Sequence, residues 1–231
     1  LLTTKGFRDV LEIGRIRTPV MFDLTWEKPE PLSPRRYRRE VRERIGANAE
    51  IIHPLDEDDV RHAAAFLQDE GVDAVAVCFL NSFVNNAHER RACEILERGC
   101  PQLLVTASFD VLPEIKEYER TSTVVVNSYV GQIMASYLGE LASSLGDGLR
   151  IMQSSGGSIT SRLASEQPVR TILSGPAGGV VGAFYTGVQA GYPEIITLDM
   201  GGTSTDVSLC PGQIKETTGQ TVGGYPISVP M

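Results

Sequence analysis

The sequence predicts an α/β protein built on a mixed, mostly parallel sheet, followed by β-hairpins that open a second lobe. Three observations carry this reading. From Ala74 to Gln153, apolar strand-like runs alternate with stretches of helical periodicity, the pattern of strand–helix–strand units. After Ile195 helical periodicity stops, and short alternating strands separated by Gly-rich turns take over. The 231 residues are 42% hydrophobic and 22% charged, an ordinary globular composition for one large domain or two small ones.

Composition also narrows the function. A net charge of −8 argues against a nucleic-acid polyanion as main partner. The four cysteines (Cys78, Cys93, Cys100, Cys210) include no C-x-x-C pair, so they read as reduced thiols of a cytoplasmic protein. No apolar run approaches the roughly 18 residues that span a bilayer, and no signal-peptide pattern opens the chain.

In chain order, Phe7 to Gly14 reads as a short helix, with Phe7, Val10 and Leu11 at helical spacing and a terminal glycine. Pro19 to Pro34, with four prolines and the single tryptophan, Trp26, reads as an irregular surface segment open to a substrate-proximal role. Arg35 to Arg44 holds six arginines. Its alternation favours a solvated face, with Tyr37, Val41 and Ile45 turned inward and Glu40 and Glu43 offsetting charge, over a phosphate patch. Pro54 to Gly71 is a helix capped by Asp56, with acids in its first turn and Val60, Ala63, Ala64 and Leu67 as the inward stripe.

Ala74 to Leu80 is a continuous apolar run, as expected of a strand buried on both faces. A helix over Ala87–Arg98 and a strand over Leu103–Ala107 follow. Glu114 to Leu145 is helical in pattern, as two helices or one kinked where β-branched residues crowd between Thr121 and Val126. Its opening acids and Arg120 read as a solvated face, with ligand contact as the sharper alternative. Leu149 to Gln153 is a strand ending in Ser154-Ser155-Gly156-Gly157, a motif that suits a tight turn or a ligand contact equally.

Ser161 to Glu166 reads as a helical turn. Pro176 then begins a helix in the favoured first turn, with Ser174-Gly175 as cap. Gly178, Gly179 and Gly182 weaken that helix by about 1 kcal/mol each relative to Ala. They point to close backbone packing or a phosphate at the helix start.

The chemistry concentrates in Ile195–Leu209, I-I-T-L-D-M-G-G-T-S-T-D-V-S-L. Gly201 and Gly202 remove every Cβ from a hairpin tip, so backbone N–H groups can approach an anion. Thr203 and Thr205 add hydroxyl donors, and successive exposed N–H groups form a concavity that holds phosphate. Asp199 before the turn and Asp206 after it are poor anion ligands; they suit Mg²⁺ or a water oriented toward a phosphoryl group. A plain Gly-Gly hairpin with polar flanks is the bland alternative. Neither G-x-x-x-x-G-K-[ST] nor G-x-G-x-x-G occurs. His53, His62 and His88 lack metal-ligand spacing and read as surface or helix-face residues, and Ser155 and Ser174 lack an adjacent base. Cys210 could lie near a ligand.

The order helix, strand, D-x-G-G-T turn, strand resembles the second phosphate loop of the actin, Hsp70 and sugar-kinase superfamily. A closer resemblance is to the hydantoinase A / 5-oxoprolinase family within that superfamily. It is carried by T-K-G-F-R-D-V-L-E-I-G-R (Thr4–Arg15), K-P-E-P-L (Lys28–Leu32), E-I-K-E-Y-E-R-T-S (Glu114–Ser122), M-Q-S-S-G-G (Met152–Gly157), S-G-P-A-G-G (Ser174–Gly179) and D-M-G-G-T-S-T-D (Asp199–Asp206). These motifs span the chain in the family's order.

The resemblance implies a ribonuclease-H-like, actin-like ATPase lobe over 1–170, a connecting hinge helix over 171–192, and the start of a similar second lobe over 193–231. It implies a piece of a longer polypeptide whose first phosphate loop precedes Leu1, and which by itself folds but is catalytically silent. The implied activity of the parent is ATP-dependent opening of a cyclic amide, of hydantoinase, N-methylhydantoinase or 5-oxoprolinase type, with phosphorylation of the amide oxygen. The implied cofactors are ATP and Mg²⁺, and the implied partner is a hydantoinase B-type subunit or domain. Asp199 and Asp206 would serve metal or water, Gly201, Gly202, Thr203 and Thr205 would cradle phosphate, and Gly156, Gly157 and Gly175 are weaker candidates. Family members that carboxylate acetone or acetophenone keep a ketone substrate open. An actin- or Hsp70-like conformational module without a small-molecule substrate is the alternative of a different class.

Overall fold

The computed structural model describes residues 1–15, 22–146 and 148–231; the opening of the expected irregular Pro19–Pro34 segment therefore lies partly outside the described residues. Contacts gather into two compact units, Leu1–Gln132 with Thr221–Ser228, and Ile133–Gln220 with Val229–Met231.

The first unit begins with strand β1 (Leu2–Thr4) and short helix α1 (Val10–Ile13), closed by Gly14 at φ +55°. Strands β2 (Arg39–Val41), β3 (Arg44–Ile45) and β4 (Ile51–His53) follow, then helix α2 (Glu57–Asp69) and β5 (Ala74–Cys78). Helix α3 (Ala87–Gly99), β6 (Leu104–Ala107) and α4 (Ser108–Val111) lead to α5 (Glu117–Leu145). The main sheet has the order β2-β1-β5-β6, and its neighbouring strands run parallel. As in other parallel sheets, both faces are covered. Val75, Val77 and Phe79 pack with Val60, Ala63, Ala64 and Leu67 of α2 and Ala92 and Leu96 of α3. On the alternate face Cys78 meets the Thr121 hydroxyl of α5 at 3.2 Å.

Helix α2 starts as the sequence indicates, with the Asp56 carboxylate accepting from the N–H groups of Asp58 and Asp59. The Asp59 carboxylate does not reach back to the cap; it takes the Arg42 guanidinium at 2.7 Å on both oxygens.

Several charged residues expected at the surface are buried. Arg38 donates to Ser33 O at 2.7 Å and Glu12 Oε1 at 2.9 Å. Glu43 accepts from the Thr4 hydroxyl and meets His88 Nδ1 at 2.8 Å, so His88 is an interior histidine while His53 and His62 are exposed. Arg120 reaches Glu114 O and Phe79 O at 2.7 and 2.9 Å. Helix pattern alone does not separate a solvated charged face from one whose charges are capped by distant carbonyls. Helix α5 also runs unbroken through Thr121–Val126, because packing of Val124–Val126 outweighs the helix cost of β-branching. Glu89 is fully buried and ties β5 to α4, accepting from Phe79 N at 2.7 Å, the Ser108 hydroxyl at 2.7 Å and Phe109 N at 3.1 Å. Burial pushes its carboxyl above the usual range.

The second unit takes the later part of α5 and continues with strands β7 (Arg150–Met152) and β8 (Ser158–Thr160), an antiparallel pair. Helix α6 (Ser161–Glu166), capped by the Thr160 hydroxyl, and helix α7 (Ser174–Gln189) follow. Helix α7 begins at Ser174 itself, with Leu173 at its N-cap and no side-chain cap, so Ser174 and Gly175 lie inside the helix rather than capping it. Strands β9 (Glu194–Met200) and β10 (Thr205–Pro211) form an antiparallel hairpin. Strands β11 (Thr218–Val222) and β12 (Tyr225–Pro230) pair around Gly223-Gly224, a turn that belongs to the first unit. Both glycines have positive φ, +58° and +89°, as a two-residue hairpin turn demands. No described helix is long and apolar enough to cross a membrane.

Candidate functional site

The β9–β10 register pairs Met200 with Thr205 and Asp199 with Asp206. Residues directly opposite in an antiparallel pair project from the same face. The two carboxylates therefore stand side by side at the base of the Gly201–Ser204 turn. Thr197 and Ser208 continue that face, which helix α7 covers. A Cβ built on Gly179 of α7 would lie 3.6 Å from Asp199 Oδ2, an ordinary contact distance, so the helix passes close beside this carboxylate. The opposite face, Ile196, Leu198, Met200, Val207 and Leu209, is exposed.

The turn is open. A Cβ on Gly202 would meet nothing within 4 Å, and one on Gly201 only Ser204 O at 3.8 Å. Gly201 N–H, however, donates to Ser204 O at 3.0 Å: Gly201 holds the turn together and has no donor left for an anion. Among the described residues, the N–H groups of Gly202 and Thr203 and the hydroxyls of Thr203 and Thr205 make no hydrogen bond. Ser204 Oγ lies 3.4 Å from Asp206 Oδ2. No lysine or arginine occurs from Glu194 to Pro211, so no basic side chain of the hairpin itself neutralises the two adjacent carboxylates. That donor set fits Mg²⁺, which uses one or two carboxylates and completes its shell with water and phosphate oxygens. No group of three or more potential metal ligands occurs among the described residues.

The weaker candidates lie elsewhere in the second unit. The Ser154–Gly157 turn closes with Gly156 N donating to Gln153 O at 3.0 Å and Gln153 N to Gly157 O at 2.7 Å. Gly156 has φ +84°, and a Cβ there would strike Val181 Cγ2 at 2.8 Å. The buried Ser154 hydroxyl accepts from Leu173 N at 3.0 Å, pinning the turn to the start of α7. Gly156 and Ser154 line a cavity of about 250 Å³ together with Pro176, Val181, Cys210 and Lys215, so Cys210 does face a cavity. The Gly201–Thr205 turn does not line it. Gly175 sits in open space on α7, and Gly157 borders the turn without lining the cavity.

Sequence reasoning missed Lys215, a cation in that cavity, and a second cavity in the first unit. The latter joins Trp26 with Tyr118, Glu119 and Ser122. Two signals pointed there: the Pro-rich Trp26 segment and the possibility of ligand contact near the start of α5.

By fold, this is an α/β protein with an open Gly-rich turn flanked by paired carboxylates. The chain belongs to the hydantoinase/oxoprolinase family: the family's N-terminal-region model matches residues 1–100 and its main hydantoinase/oxoprolinase model matches residues 120–231. An uncharacterized protein of Methanocaldococcus jannaschii is 42% identical over 90% of this chain and 31% of its own length. Caprolactamase subunit alpha of Pseudomonas jessenii is 36% identical over 92% of this chain and 32% of its own. A crystal structure of the ATP-dependent caprolactamase from that organism superposes on the whole chain with a TM-score of 0.89 at 33% identity, covering 34% of the solved chain. A nucleotide-free acetone carboxylase, from work on ATP-dependent acetone carboxylation, superposes with a TM-score of 0.88 at 30% identity over the whole chain and 35% of its own. The chain thus spans about a third of the length of these relatives.

Proposed function

We propose that the Gly201–Thr205 turn holds phosphates of ATP and that the whole protein is an ATP-dependent cyclic-amide hydrolase of hydantoinase, N-methylhydantoinase or 5-oxoprolinase type. The observation that carries this reading is the placement of Asp199 beside Asp206 under an open turn whose Gly202 and Thr203 N–H groups and Thr203 and Thr205 hydroxyls are unengaged. The ATP dependence of the similar caprolactamase and of acetone carboxylation supports it.

In this reading the free N–H and hydroxyl donors neutralise phosphate oxygens, and Asp199 and Asp206 hold Mg²⁺ or orient a water. Mg²⁺, when bound, supplies further charge neutralisation on the transferred phosphoryl group. Transfer of the γ-phosphoryl group to the amide oxygen releases ADP and turns that oxygen into a leaving group. Water then adds at that carbon, the ring C–N bond breaks as the nitrogen takes a proton, and a second water hydrolyses the resulting acyl phosphate to the carboxylate and inorganic phosphate. Residues 1–170 belong to the first lobe of a ribonuclease-H-like ATPase, 171–192 form the connecting helix, and 193–231 open the second lobe. Gly156 packs against Val181 of α7, and Gly156, Gly157 and Gly175 are the weaker candidates for contact with the nucleotide. A second, hydantoinase B-type subunit or domain completes the enzyme, in keeping with a relative named as a caprolactamase alpha subunit. The four free cysteines accord with a reducing, cytoplasmic setting.

Ketone activation for carboxylation is the second reading, favoured by the similarity to acetone carboxylase. The test is ATP hydrolysis by the full-length protein with its partner subunit, in the presence of hydantoin, N-methylhydantoin, 5-oxoproline, caprolactam, or acetone with bicarbonate. Stimulation by a cyclic amide supports the hydrolase reading, and stimulation by acetone alone moves the assignment to the carboxylase. ATP binding with no stimulation by any of them favours a conformational module.

A further inference from the structure

The first unit contains a cavity of about 450 Å³, within the range of roughly 300–1,000 Å³ of small-molecule sites. All of its lining residues belong to that unit. Its walls are mainly apolar, with Leu11, Trp26, Leu32, Val125 and Val126 contributing.

The charges at its edge are already engaged. Arg15 forms a two-point pair with Glu119 at 2.8 and 2.6 Å. The Lys28 ammonium donates to the carbonyls of Leu11 and Glu12, at 2.9 and 2.5 Å, at the end of α1. What remains is a neutral hook. Ser122 lines the cavity and is only 4% exposed, yet its hydroxyl has no hydrogen-bond partner among the described residues. That hydroxyl faces the cavity with its donor unengaged by the protein, so a carbonyl oxygen arriving in the cavity can accept from it.

We infer that this cavity binds the organic substrate: a neutral, largely apolar carbonyl compound, lactam or ketone, whose oxygen accepts from Ser122 while Trp26 packs on its body. The ligand class rests on the proposed function; the cavity's volume, apolar walls and unengaged hydroxyl stand independently of it. A charged ligand is disfavoured because it would have to break the Arg15–Glu119 pair or enter an apolar wall without a counter-ion.

The test is calorimetric titration of the full-length protein with its partner subunit, without ATP, using ε-caprolactam in one arm and acetophenone in the other. Mg·ATP is titrated separately. We expect saturable binding of one probe, weakened about tenfold by Ser122→Ala, as for one lost hydrogen bond. Trp26→Ala, at a half-buried loop position that leaves the core intact, should weaken it comparably. Both variants should bind Mg·ATP as the parent does. The responding arm separates lactam from ketone. Failure of both probes to bind, or binding unchanged in both variants, overturns the inference. Failure of the parent to bind Mg·ATP, with probe binding retained, overturns the phosphate-turn reading instead and leaves the cavity assignment standing.

Discussion

Asp199 and Asp206 face each other directly across β9 and β10, which places two like charges at a cross-strand separation of about 5 Å between their Cβ atoms. Without a cation that pairing works against the hairpin; with one it becomes a ready-made ligand pair.

Two effects of removing one charge follow. Asp206→Asn should stabilise the metal-free protein slightly, by about 0.2–1 kcal/mol, and reduce any stabilisation by added Mg²⁺. Thermal melts with and without Mg²⁺ read both. An unchanged Mg²⁺ response would remove Asp206 from the metal site.

Asp199→Ala should lower ATP turnover of the full-length protein by about 100-fold or more, the scale on which single electrostatic groups act. The melting temperature should move little, because Asp199 is exposed. Turnover equal to that of the parent would end its catalytic assignment.

The Arg42–Asp59 pair predicts an acid limb in the stability profile. Its hydrogen bonds hold the Asp59 carboxyl down at about 2, against an ordinary value of 3.8. A depressed carboxyl contributes stability that is present above the unfolded value and lost as pH falls through the folded one. The contribution therefore fades between about pH 4 and pH 2. It is modest, since the pair is largely solvent-screened. Denaturant melts across that window should show a shallower acid limb for Arg42→Ala than for the parent.

His88 and Glu43 make a different case, because both are buried. His88→Ala leaves Glu43 with the Thr4 hydroxyl as its remaining described partner and should cost about 2–4 kcal/mol. Equilibrium unfolding measures this. A cost below about 0.5 kcal/mol, the scale of a surface substitution, would show that the pair is not held in solution.

Gly156→Ala combines a positive φ with a clash against Val181, and should destabilise by more than about 1 kcal/mol. Val181→Ala in the same chain should recover the steric part and leave the backbone part. A double-mutant cycle on melting free energies separates them, and strict additivity would mean that the two residues do not touch.

The sequence by itself determined the locally encoded features. Helix α2 follows from the Asp56 cap and the Val60–Leu67 stripe, β5 from its unbroken apolar run, and the β9–β10 hairpin from alternation around Gly201-Gly202. Each is set by neighbours a few residues away, so periodicity and turn chemistry suffice. Tertiary structure decided which charges are interior. Glu43 and His88 are 45 residues apart, and Arg120 finds its acceptor at Phe79, 41 residues away; no local pattern distinguishes such groups from solvated ones. It also decided that Gly201 spends its N–H on its own turn, that Gly156 packs against α7 beside a separate cavity, and that Ser122 ends on a cavity wall without a partner. Burial and hydrogen-bond satisfaction depend on what the rest of the chain brings near, and that is fixed only when the chain has folded.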